Sequence, residues 1–64
     1  MWLIRHGGFV RALYDYAPET PEELTVSAGE MLVVVTRDAG AGWMEGKNTA
    51  GQTGLFPASY VEDV

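Results

Sequence analysis

The longest uninterrupted apolar run in this chain is Met31 to Val35. Other apolar stretches are shorter still, and Gly, Pro, Asn or Asp separates them. Short runs rich in β-branched residues and bounded by turn formers read as strands, and nothing sustains a helical period. None approaches the ~20 apolar residues that a membrane-spanning helix requires. The chain is therefore read as all-β.

Phe9 to Tyr14 forms the first run, where alternation puts Val10 and Ala12 on one face and Arg11 on the other. Ala17 to Ala28 is a long connection holding Pro18, Pro21 and three glutamates. Prolines are confined to strand edges and starts, so this segment cannot supply a central strand. Within it Leu24 and Val26 alternate with Thr25, so its return limb is expected to pair as a short strand. Gly29-Glu30 marks a turn, and Met31 to Thr36 is the strongest strand. Arg37 to Gly42 is a glycine-rich loop, Trp43 to Lys47 a third strand, Asn48 to Gly51 a tight turn, and Thr53 to Phe56 a fourth strand stopped by Pro57. Ala58 to Tyr60 is long enough only for one 3-10 turn, and Val61 to Val64 closes as a last short strand. Five short strands in so little chain point to a small barrel or sandwich, and closure removes the exposed edges of a lone meander. The expected core is Ala12, Leu24, Val26, Leu32, Val34, Phe56 and Val61.

The chain has 64 residues, room for one domain. It contains no cysteine, so neither a disulfide nor a thiolate metal site contributes. The net charge is -5, opposite in sign to a phosphate-neutralising groove. Nucleic acid and anionic membrane surfaces are accordingly not expected as partners, and basic ones are. Residues 1–8 are read as a leader, added for expression and separate from the domain at 9–64. Gly7-Gly8 divides its apolar Trp2, Leu3 and Ile4 from the barrel, and they are expected to pack on a neighbouring molecule or a sheet edge. The leader has no extended apolar stretch of the signal-peptide kind.

Four stretches together carry a resemblance: Ala12-Leu13-Tyr14-Asp15-Tyr16; Glu23-Leu24-Thr25-Val26 followed by Gly29-Glu30; Gly42-Trp43; and Gly54-Leu55-Phe56-Pro57-Ala58-Ser59-Tyr60-Val61. In this order and spacing, over roughly Phe9 to Asp63, the chain resembles a Src-homology-3 (SH3) domain. The resemblance implies a five-stranded barrel of two packed antiparallel sheets with one short 3-10 turn. It also implies a non-catalytic module, without cofactor or metal, that binds Pro-x-x-Pro peptides in the polyproline II conformation. That left-handed helix is already extended when free and has no internal hydrogen bonds, so a receptor needs aromatic ridges and donors for free carbonyls. By position, Tyr14, Tyr16, Trp43, Pro57 and Tyr60 would line the groove, the Trp43 indole N–H donating to a ligand carbonyl. Glu22 and Glu23, with Glu19 nearby, would hold a flanking Arg or Lys, Arg being favoured because its fork meets a carboxylate with two bonds. Leu55 stands where many relatives carry an aromatic and offers the groove edge less stacking surface. Ser59 stands where many have Asn and gives one rotatable donor in place of an amide pair. Gly46 stands where relatives often bury Val, so Phe56 is expected to fill part of that space. The resemblance further implies a monomeric domain from a cytoplasmic adaptor at actin or membrane-remodelling sites. The groove would be filled in trans or, alternatively, by a proline-rich segment of the parent protein.

Other functions have weaker footing. Arg5-His6-Gly7 is similar to the signature of histidine phosphatases, but that chemistry needs a second histidine and a basic phosphate pocket, and His6 is the sole histidine. Ser27 and Ser59 have no histidine base. Gly40-Ala41-Gly42 lacks the lysine and helix of a phosphate-binding loop.

Overall fold

A computed structural model describes residues 8–64, so the readings made for Trp2, Leu3, Ile4 and His6 lie outside the described residues. Five strands follow in order: β1 (Phe9–Ala12), β2 (Met31–Thr36), β3 (Trp43–Lys47), β4 (Thr53–Pro57) and β5 (Val61–Asp63), with a 3-10 turn at Ala58–Tyr60. All pairings are antiparallel, in the order β4-β3-β2-β1-β5. The ladder is continuous because β2 is shared. Its residues Met31 to Val33 pair with β1, while Val33, Val34 and Thr36 pair with β3. The register shifts between Val34 and Thr36, and such irregularities bend and twist a strand. The strands thus form one continuous sheet, where the resemblance implied two packed ones, and β2 carries its irregularity.

Strict alternation decides which side chains are inside. Val10 and Ala12 of β1, Leu32 and Val34 of β2, Met44 of β3 and Phe56 of β4 are buried, joined by Leu24 and Val26 of the long connection. Val61, expected in the core, is only half-buried and packs against it. Met44 was not among the expected core residues. Phe56 fills the space at Gly46 as anticipated: a Cβ on Gly46 would lie 2.9 Å from Phe56 Cε2 and 2.8 Å from the Val33 carbonyl oxygen.

The expected return strand at Leu24–Val26 does not form; that limb makes two isolated bridges. The Val26 N–H and C=O bond Tyr16 at 3.0 and 2.8 Å, but the Leu24 N–H donates to the Leu55 carbonyl of β4 at 2.8 Å. A limb that changes partner within three residues is too short for a ladder on either side. The first strand ends at Ala12 instead of Tyr14 because the Leu13 N–H turns to the Tyr60 carbonyl at 2.7 Å. β4 runs one residue further than expected, ending on Pro57, where the missing N–H is tolerated at a strand end.

Two polar side chains tie the connections together. The buried Asn48 side chain donates to the Thr25 carbonyl (3.0 Å) and Gln52 Oε1 (3.2 Å), and accepts from the N–H groups of Ala50 (3.1 Å) and Gln52 (3.0 Å). Both donors and both acceptor positions of the amide are satisfied, as burial demands. The Glu30 carboxylate accepts from the Ser27 N–H at 2.9 Å, the Thr49 N–H at 2.9 Å and the Thr49 hydroxyl at 2.6 Å. Partial burial would raise the Glu30 pKa, but the bonds from Thr49 and Ser27 prevail and hold it below the ordinary 4.5.

Two outcomes follow. Ala12 is 2% exposed within the core cluster, so Ala12→Leu should overpack the core and cost roughly 1–3 kcal/mol in a thermal melt. An unchanged melt would put Ala12 outside the core. Because the folded-state pKa of Glu30 is depressed, its contribution is present above 4.5 and fades as the pH falls through the lower folded value. Glu30→Gln should therefore lose about 1 kcal/mol at neutral pH and show a flatter fall in stability under acid, measured by urea unfolding across pH. Parallel acid profiles for parent and variant would refute the assignment.

Candidate functional site: an aromatic row beside an acidic limb

Four rings form a continuous row. Tyr14 meets Tyr60 at 5.4 Å between centroids, Tyr60 meets Tyr16 at 5.5 Å, and Tyr16 meets Trp43 at 6.2 Å, each pair edge to face. In this arrangement a ring edge rests on a neighbouring ring face, so the row presents ridges with slots between them. Pro57 extends it, lying opposite Trp43 in the β3–β4 register. Tyr14 is 57% exposed, while Tyr16, Trp43, Pro57 and Tyr60 are half-buried. Tyr16 packs in part against the core, yet the row as a whole keeps much of its ring surface open.

Backbone bonds hold the row in place. Tyr14 and Tyr16 follow β1, Trp43 opens β3 and Tyr60 ends the 3-10 turn. The Ala58 N–H at the start of that turn donates to the Gly42 carbonyl at 2.8 Å, beside Trp43, and the Tyr60 carbonyl at its end accepts from Leu13 beside Tyr14. One short turn thereby fixes three rings relative to each other. Gly42 needs its freedom here: its φ is +85°, closing a tight turn in which the Trp43 N–H reaches the Gly40 carbonyl at 3.0 Å.

The acidic limb divides its labour. The Tyr16 hydroxyl donates to Glu23 Oε1 at 2.6 Å, and the same oxygen accepts from the Glu19 N–H at 2.8 Å, while Oε2 accepts from the Thr20 hydroxyl at 3.1 Å. The bond to Glu23, with burial and the nearby negative charge, pushes the Tyr16 hydroxyl up to about 12. The same bond, with the Glu19 N–H, holds Glu23 below its ordinary value. Tyr16 thus stays a neutral donor and Glu23 a charged acceptor throughout the neutral range. Glu19 and Glu22 are exposed, and their carboxylates make no hydrogen bond or ion pair among the described residues. Asp15 is occupied elsewhere, accepting from the Ala28 N–H at 2.8 Å.

The structure thus brings all ten sequence-designated positions to connected segments. Leu55 of β4 is half-buried and bridges to Glu23, and Ser59 sits exposed on the 3-10 turn. Glu45 is half-buried two residues along β3 from Trp43, hence on the same face of the sheet, where it accepts from the Thr36 hydroxyl at 3.4 Å. Among the described residues no group of three His, Cys, Asp or Glu could hold a metal ion. A separate concavity lined by Val33, Val34, Val35 and Lys47 contains none of the row's rings. The row itself is an open surface, suited to an extended chain rather than an enclosed small molecule.

Known proteins are similar to this chain in sequence and fold. Residues 12–62 match the family described as variant SH3 domain. Mouse (Mus musculus) sorting nexin-33 is 50% identical over 54 residues, covering 84% of this chain but 9% of the relative, so the chain corresponds to a small part of that protein. The SH3 domain of Acanthamoeba myosin I, solved bound to Acan125, superposes with a TM-score of 0.82 at 43% identity, covering 94% of this chain and all of that one (100%). The yeast Nbp2p SH3 domain, solved with a peptide from Ste20p, gives a TM-score of 0.82 at 32% identity, covering 91% of this chain and 87% of that one. With the family match spanning most of its length and this likeness in fold at 43% identity, the chain belongs to the SH3 family.

Proposed function

We propose that this domain binds Pro-x-x-Pro segments in polyproline II conformation along the row Tyr14–Tyr60–Tyr16–Trp43–Pro57, with an Arg or Lys flanking the prolines held at the acidic limb. SH3 domains are non-catalytic interaction modules that bind proline-rich peptides. The observation that carries the finer reading is the unbroken edge-to-face row of half-exposed rings, flanked by carboxylates without a partner. Proline rings enter the slots without the entropy loss of ordering a flexible chain. The Trp43 indole N–H and the Tyr14 and Tyr60 hydroxyls supply donors for ligand carbonyls, which a polyproline helix leaves free. Ser59 adds a rotatable hydroxyl next to Tyr60, and Leu55 an apolar edge.

Glu19 and Glu22 are the carboxylates available to meet a cation, and Glu23 serves chiefly to fix Tyr16 and the loop. Three of the roughly four lone-pair positions on Glu23 are already used. The net charge of -5 adds a diffuse attraction for basic segments. The parent protein is proposed to be a cytoplasmic adaptor at membrane-remodelling or actin-linked sites, a reading supported by the likeness to sorting nexin-33 and myosin I. The isolated domain is proposed to be monomeric, its ligand arriving as an extended segment.

Two experiments test this. Trp43→Ala removes the half-buried ring between Tyr16 and Pro57 and should abolish binding to a Pro-x-x-Pro peptide, with the thermal melt nearly unchanged; outright unfolding would make Trp43 a core residue and displace the groove. For the charges, Glu19→Gln with Glu22→Gln keeps size and polarity. Exposed charges are screened over about 8–10 Å at physiological ionic strength. The double variant should bind an Arg-flanked peptide more weakly and with a shallower salt dependence, yet match the parent on a neutral-flanked peptide. Identical salt slopes would remove these carboxylates from the site.

A further inference from the structure

A pair of glycines lies behind the acidic limb. Gly46 of β3 and Gly54 of β4 are direct partners in the ladder and both are buried. Their missing side chains are replaced by different things. At Gly46 the Phe56 ring fills the space. At Gly54 the space holds main chain: a Cβ there would lie 2.9 Å from the Glu22 carbonyl oxygen, 3.1 Å from the Glu23 carbonyl carbon and 3.1 Å from the Leu24 nitrogen. None of these is the end of a flexible side chain that can swing aside. The limb rests on β4 at this one point and is sewn to it by the next residue, Leu55, whose N–H donates to the Glu22 carbonyl at 2.9 Å and whose carbonyl accepts from Leu24.

The geometry points to Gly54 as the positioning residue for charge recognition: its bare Cα lets the Glu22–Leu24 backbone lie on β4, which sets where the carboxylates stand relative to the aromatic row. The inference rests on the cation-holding reading above and deepens it. Gly54 does not have a positive φ, so a side chain there carries no left-handed strain. Alanine also has a better strand propensity than glycine. Its cost falls on the limb, which must lift to clear backbone contacts of 2.9–3.1 Å and so loosens both bonds to Leu55. Trp43, Tyr14 and Tyr60 are held by other bonds, those of Ala58 to Gly42 and Leu13 to Tyr60, and do not depend on the limb's height. Tyr16 is tied to the limb by its hydroxyl to Glu23, a side-chain bond that can follow a small shift, and by two backbone bonds to Val26, beyond the Glu22–Leu24 segment that must lift.

The test is a titration of the full chain with two peptides that differ only in the residue flanking Pro-x-x-Pro, Arg in one and Gln in the other. The parent should favour the Arg peptide. Gly54→Ala should lose about tenfold on the Arg peptide, the order expected when a charge-assisted bond is lost, and stay within about twofold on the Gln peptide. The amide resonances of Glu22 to Leu24 should shift while the Trp43 indole resonance stays in place. Equal losses on both peptides would show general damage and overturn the inference, as would an undiminished preference for Arg. If the parent itself shows no preference, the cation reading fails and this inference with it; a preference that survives Gly54→Ala sinks the inference alone. Should Gly54→Ala not fold, a backbone ester at Leu55 made by chemical synthesis removes the donor to Glu22 while adding no atom at Gly54. It should give the same selective loss, and no change in selectivity would again overturn the proposal.

Discussion

Phe56 is the largest side chain sealed inside this domain, and the barrel is arranged around it. It stands on β4 but its ring reaches across to β3, where Gly46 has no side chain to resist it. Leu24, Leu32, Val10 and Val34 supply the remaining fully buried bulk. In a chain this short the core has little surplus, so one well-filled contact matters more than it would in a larger protein. A side chain at Gly46 would collide with both the ring and the Val33 carbonyl, so strand spacing and ring position cannot be adjusted separately. The missing side chain at Gly46 is thus compensated within the same strand pair.

From that core the site follows with little added machinery. The row of rings is not folded by its own contacts, since edge-to-face pairs contribute only about 0.5–1.5 kcal/mol each. Its geometry comes from the 3-10 turn, whose two ends bond the backbones next to Trp43 and Tyr14. The turn is short because Pro57 precedes it and β5 takes up the chain directly after Tyr60. A recognition surface fixed through main-chain bonds is ordered before the ligand arrives, and preorganisation reduces the entropic cost of association.

Much of this was legible beforehand. Alternation placed β2, β3 and β4 and most of their inward residues, and the aromatic positions came from the family motifs. What escaped the sequence has physical reasons. Met44 lies between the outward-facing Trp43 and the polar Glu45, and only the assignment of Trp43 to the outer face turns it inward. Leu24 to Val26 has the alternation of a strand but divides its hydrogen bonds between Tyr16 and Leu55, a choice made by tertiary geometry that a local pattern does not contain. Asn48 reads as a turn former, and its buried amide is explained only by Thr25, which lies 23 positions earlier in the chain. Glu23 reads like Glu22, and only the position of the Tyr16 hydroxyl distinguishes them.

That distinction bears on how selectivity is built. Stacking on tyrosine and tryptophan accepts any extended segment with rings at the right spacing, so the row alone discriminates weakly between proline-rich sequences. A polyproline helix repeats every three residues and has no internal hydrogen bonds, so its ridges look alike from many starting points. A charge at one end of the row removes this ambiguity only if its distance from the slots is fixed. Glu19 and Glu22 are exposed and no side-chain bond fixes their carboxylates among the described residues, so the precision must come from the backbone beneath them. Glu23 anchors that backbone at the loop end through Tyr16 and Thr20, and Gly54 with Leu55 anchors it on β4. On the proposed reading, the least exposed of the three glutamates and a residue with no side chain at all govern what the two exposed carboxylates can recognise.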